Sequence, residues 1–171
     1  MKYLAFMTIV LLLDIRIGNI NILPDCIGWG LMYSVFSKLY EDGEDGIYKK
    51  LKSCTAIFAA ADVVLEMVVL LERRIVTPYY FFKLISIVVS FYMLYMVLEG
   101  IDWISSKYGK KSDTETALKY IKTAPVWYLA ATVIGYFDIA NLEQLCFAVT
   151  VGAAVLLAYS LQKSGENLGD I

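Results

Sequence analysis

Residues 53–71 read SCTAIFAAADVVLEMVVLL, a run long enough to cross a bilayer that nonetheless carries Asp62 and Glu66 inside it. A short connection, ERRIVT, turns the chain into a second apolar arm over residues 78–98, which carries Lys83, Ser86 and Ser90. Two ionised acids cost about 5 to 7 kcal/mol on membrane-insertion scales, whereas the nine Leu, Ile, Phe and Val residues of the first arm return about 3 to 5 kcal/mol. Alone, that arm is marginal in lipid, so its acids are expected to face protein. Asp62 and Glu66 are spaced i, i+4 on one side of a helix, and Thr55 and Ala59 extend the same stripe. Glu66 and Lys83 lie equally far from the turn midpoint between Arg74 and Ile75. Packed antiparallel, the two arms would set these residues level as an intramembrane ion pair. By the same spacing Asp62 falls level with Ile87, beside the hydroxyls of Ser86 and Ser90, and becomes the better placed of the two acids to carry a proton.

Composition points the same way. Of 171 residues, 59% are hydrophobic and only 19% charged, more apolar material than a soluble core needs, so residues 1–171 read as a single integral membrane domain. A net charge of −2 leaves no electrostatic footprint for nucleic acid. There is no histidine, which removes the commonest general base and metal ligand. Cys26, Cys54 and Cys146 are odd in number and have no metal-ligand spacing, so they read as inert apolar thiols. The expectation is no metal, no cofactor and no enzymatic activity.

Along the chain, Lys2 precedes an apolar run with no small-x-small cleavage pattern, which predicts an uncleaved first span over residues 3–20. Asn21 and Pro24 then mark a tight turn, with Pro24 in the first turn of a second helix and Asp25 beside the positive end of its dipole. That helix runs to about residue 40. Its Gly28, Gly30 and Ser34 form a small-residue side that would let another helix approach, and Gly30 and Ser34 in particular are expected to face a neighbour. The stretch INILPDCIG at residues 20–28 resembles the motif INILPD-x-IG near the start of a group of small bacterial multi-spanning membrane proteins to which no activity is attached. The resemblance covers about the first forty residues and implies a multi-spanning fold. Cys26 departs from it, standing where a bulkier residue is expected.

Residues 41–52, EDGEDGIYKKLK, read as a solvated connection; their acids lack the spacing of a calcium loop. Residues 114–122 predict a short amphipathic helix with Lys119 and Lys122 on one side, and Pro125 opens a fifth apolar stretch over residues 126–139. That stretch reaches only about 21 Å, short of a hydrocarbon core of about 30 Å. A sixth occupies residues 145–161. The fold class is therefore an all-α membrane protein, a bundle of about six transmembrane helices, or five with a re-entrant segment. With six spans, eleven of the fifteen bases fall on the side that holds both termini, which predicts a multi-pass protein of the cell membrane with cytoplasmic termini.

Two functions fit these features. One is a non-enzymatic helical bundle that associates with or regulates another membrane protein, or a second copy of itself, within the lipid bilayer. The other is movement of protons, ions or a small solute past Asp62, Glu66 and Lys83, since intramembrane ionisable groups often line pathways. An intramembrane aspartyl enzyme would need acids from two helices at one depth, and Asp62 and Asp138 do not match.

Overall fold

The computed structural model describes residues 3–13, 16–17, 20–21, 25–43, 46–71, 76–109, 114–136 and 140–166. These form six α-helices in chain order, α1 (Leu4–Leu12), α2 (Asp25–Gly43), α3 (Gly46–Leu71), α4 (Val76–Lys107), α5 (Glu115–Tyr136) and α6 (Ala140–Glu166). Two minimal strands, β1 (Arg16–Ile17) and β2 (Ile20–Asn21), lie between α1 and α2. Among the described residues one stretch, Leu84–Lys107 of α4, is long and apolar enough to cross a membrane.

The first helix stops much earlier than its composition predicts. In place of a span over residues 3–20, α1 closes at Leu12, Leu13 turns extended, and β1 pairs antiparallel with β2. Arg16 stands opposite Asn21 and Ile17 opposite Ile20, so the chain reverses between Ile17 and Ile20; the turn expected at Asn21 and Pro24 runs into residues outside those described. The signal is present in the sequence. Gly18 and Asn19 are a two-residue Gly-Asn pair flanked by isoleucines, which suits a tight hairpin. Nine residues of helix cover about 14 Å, too little to cross a hydrocarbon core. α1 instead sits within the bundle, packed on α2 and α6, with Leu4, Met7, Val10, Leu11 and Leu12 buried. A helix that is apolar on all sides has to be covered on all sides, by protein or by lipid.

The other helices outrun their predicted boundaries. The expected solvated connection over residues 41–52 is almost entirely helical, because α2 continues to Gly43 and α3 already begins at Gly46. Glu and Lys are good helix formers, and Glu41, Lys49 and Lys50 remain exposed while the backbone winds on. Likewise, the amphipathic segment and the fifth apolar stretch are one helix, α5, with Pro125 in its interior instead of at its start. Proline lacks the N–H that would bond to the carbonyl of Ile121, so this helix absorbs a missing rung. Its 22 residues cover about 33 Å, but the first turns carry Glu115, Lys119 and Lys122 and are not apolar.

Neighbour relations decide the site. α2 packs extensively on α3, α5 on α6, and α1 on α6 and α2, whereas α3 and α4 barely touch. The α1–α2 approach is close because Gly28 has no side chain, and a Cβ there would fall 2.6 Å from Leu11 Cγ. Gly100 of α4 does the same for Leu39 of α2 and Tyr48 of α3. At the opposite end of α1, the amide of Ala5 donates to Gln162 Oε1 of α6 at 3.3 Å, so a side chain from α6 satisfies one of the first amides of α1.

Candidate functional site

The polar stripe of α3 faces α2. Thr55 and Asp62 are buried, Ala59 and Glu66 half-buried, and Ile57, Val63, Val64 and Met67 occupy the exposed opposite side. One turn of helix separates Phe58 from Asp62 and three residues separate Trp29 from Cys26. The Trp29 and Phe58 rings lie 5.0 Å apart, and this contact brings the start of α2 alongside Asp62. There the backbone amide of Cys26 donates to Asp62 Oδ2 at 2.9 Å. The carboxylate is 1% exposed. The first amides of a helix have no partner within it and carry the positive end of the macrodipole, so a carboxylate from another helix satisfies a donor and gains a favourable field at once.

A second acid enters the same place. Asp25 is the first residue of α2, is 4% exposed and precedes Cys26 directly. Its position at the positive end of α2 agrees with the sequence reading, but its burial next to an acid of α3 was not foreseen. Pro24 lies outside the described residues, as does the side chain of Asn21. The indole Nε1 of Trp29, wholly buried one turn further along α2, has no hydrogen-bond partner among the described residues.

The return arm contributes differently from expectation. The Lys83 side chain lies outside the described residues, and the proposed pairing with Glu66 lies there with it. Between the two arms the Phe58 ring meets Phe82 of α4 at 6.0 Å, and Gly100 of α4 approaches the Tyr48 hydroxyl of α3. Phe91 meets Tyr128 of α5 at 5.3 Å. On α2 Asp62 accepts from the Cys26 amide. Ser86 and Ser90 are both buried, and the Ser90 hydroxyl has no partner among the described residues.

The small-residue side of α2 splits in two. Gly28 is buried against Leu11, whereas Gly30 and Ser34 are exposed, with nothing within 4 Å of a Cβ built at Gly30. Ser34 donates to the carbonyl of Gly30 at 3.2 Å. At 3.6 residues per turn, positions 28 and 30 point to nearly opposite sides, so one face cannot use both. Among the described residues no three His, Cys, Asp or Glu side chains gather as a metal set. Compared with protein-family models, curated proteins and solved structures, the chain matches none.

Proposed function

We propose that this protein is a multi-pass integral membrane helical bundle of the cell membrane, a non-enzymatic component that associates with or regulates other membrane proteins. The observation that carries the reading is the bond from Cys26 to Asp62. The acid that makes α3 costly in lipid is spent on holding α3 to the start of α2, a structural use that accounts for its presence without a transported ion. Ile57, Val64 and Met67 on α3, Phe81 and Val88 on α4, Val126 and Trp127 on α5, and Val155 and Leu156 on α6 are all exposed. Large apolar side chains exposed on four helices are costly in water and suit acyl chains. The contact of Ala5 with Gln162 supports both termini lying on one side, and the lysine bias makes that side cytoplasmic. The likeness of residues 20–28 to the INILPD-x-IG group fits the same assignment.

Transport is the second reading, favoured by the burial of Asp25 and Asp62 at one helix end, where two carboxylates can share a proton. Proteoliposomes loaded with a pH-sensitive dye separate the two. The bundle reading expects them to hold a pH gradient as long as protein-free vesicles do. A proton leak that Asp62→Asn abolishes would overturn it in favour of transport. Topology is read from a cysteine placed at exposed Lys163 in a chain whose three native cysteines are replaced. Labelling by an impermeant maleimide should require broken cells.

A further inference from the structure

The outward side of α3 changes character along its length. Lys49 and Lys50, in its first turns, are exposed, and Lys52 is half-buried with its Nζ 4.8 Å from the centroid of the Tyr33 ring on α2. Among the described residues no acid pairs with any of the three, whereas Lys119 of α5 is bridged to Glu115 at 3.3 Å. Three cations within four residues of one helix attract an anion. Beyond them the same side turns apolar. Ile57 is 66% exposed and Val64 59%, and together with the exposed Ser53 and Ala60 they continue from Lys49 and Lys50 as a lane at i, i+3 and i+4 spacing. α4 leaves that lane uncovered, since it touches α3 at few places. One of those places is Gly100 of α4 against the Tyr48 hydroxyl, so the start of α3 and the late part of α4 share one end of the bundle. There the exposed Trp103 ring takes the Lys107 ammonium at 5.1 Å from its centroid. Pairs of this kind, Tyr33 with Lys52 and Trp103 with Lys107, suit the boundary between headgroups and acyl chains.

We propose that this lane of α3 binds an anionic phospholipid, its phosphate held by Lys49, Lys50 and Lys52 and one acyl chain laid along Ile57, Ala60 and Val64. Such a ligand presupposes the membrane reading above and adds a lipid class to it. Charge and shape both favour it. The headgroup supplies the negative charge that the lysines lack, and Ser53 to Val64 measures about 17 Å, close to one leaflet's half of a hydrocarbon core of about 30 Å. A soluble anion would answer the lysines and leave the apolar lane bare. In the sequence Glu41, Asp42, Glu44 and Asp45 precede the lysines, which therefore stand between those acids and the lane. Each lysine near an anionic lipid surface is worth about a fivefold gain in binding.

The test uses the full-length protein purified in dodecyl maltoside. Native mass spectrometry compares retention of phosphatidylglycerol and phosphatidylcholine with identical acyl chains, and thermal unfolding is followed on adding either lipid or inorganic phosphate. The expected result is a preference of tenfold or more for phosphatidylglycerol, lost when Lys49→Gln and Lys50→Gln are combined. Lys119→Gln with Lys122→Gln removes the same charge at the start of α5 and should leave the preference in place. Ile57→Gln should weaken retention of both lipids alike. All five positions are exposed, so these variants keep the fold. Equal retention of the two lipids overturns the proposal, as does a preference that survives Lys49→Gln with Lys50→Gln. Equal losses in the two lysine pairs would mean bulk charge instead of a site, and an unfolding shift with inorganic phosphate as large as with phosphatidylglycerol would mean a soluble anion; either result overturns it too. Release of the chain from membranes by alkaline carbonate would sink the membrane reading and this site with it, whereas a chain that stays in the membrane and shows no lipid preference loses the site alone.

Discussion

Two hairpins share helix α3, and they are built differently. Between α2 and α3 only residues 44–45 intervene, and the helices pack along much of their length through Trp29, Phe58, Phe36, Tyr48 and the Asp62 cap. Between α3 and α4 the connection is also short, yet the helices touch at few places, among them the Phe58–Phe82 ring contact and the approach of Tyr48 to Gly100. The difference shows what recruits a buried acid. Serines on the neighbouring α4 offer neutral hydroxyls, whereas a helix start offers a backbone donor aligned with a dipole, and the helix start holds Asp62. A short loop makes two helices neighbours in sequence; polar complementarity decides which pair packs.

The comparison breaks most visibly at Asp62. Replacing it with Leu should remove about 1 to 3 kcal/mol of stability, because the half-buried Cys26 amide loses its acceptor. Asp62→Asn, which keeps an acceptor, should lose less. Equal unfolding midpoints for Asp62→Leu and the parent in detergent would show that the α2–α3 pair does not depend on the cap.

Two glycines two residues apart should then respond with opposite signs. Gly28→Ala places a Cβ against Leu11 and should destabilise by about 1 to 3 kcal/mol, partly relieved in combination with Leu11→Ala. Gly30→Ala meets open space and should stabilise by up to about 1 kcal/mol through helix propensity. Urea or thermal unfolding of the pair reads this directly, and matching signs would mean that α1 is not seated where Gly28 admits it.

Aromatic truncation sharpens the contrast between the hairpins. Phe58→Ala removes a ring that touches both Trp29 and Phe82, so it should cost more than Phe82→Ala, which loses only the looser contact. Equal losses would mean that α3 leans on α4 as firmly as on α2. The smallest effect is expected at the pairing that simple spacing suggested. In a double-mutant cycle, Glu66→Gln and Lys83→Met should couple by more than about 0.5 kcal/mol if the two side chains pair. Strictly additive losses would mean that they do not interact.

Much of the architecture was legible in the residues. An apolar stretch in the sequence marks each of the six helices, because sustained hydrophobicity has to be wound into hydrogen-bonded backbone wherever water is scarce. The protein-facing stripe of α3 follows from i, i+4 spacing of Thr55, Ala59, Asp62 and Glu66. Helix ends were less legible, since Lys and Glu signal solvent exposure but not a loop, and a proline signals a missing donor but not a boundary, as Pro125 inside α5 demonstrates. The ribbon that halts α1 was present as Gly18 and Asn19 and was masked by the apolar residues around it.

By itself the sequence determined that the chain is helical and strongly apolar, and that Asp62 and Glu66 within residues 53–71 belong against protein. Only the tertiary structure decided which protein surface that is. A carboxylate can be satisfied by a lysine, a hydroxyl or a helix start, and one-dimensional spacing ranks these only for helices already known to pack. The sparse contact of α4 with α3 and the seating of α1 against Gly28 are properties of the whole bundle, set by which faces interdigitate. They brought Asp62 to Cys26 and left Gly30 and Ser34 facing outward.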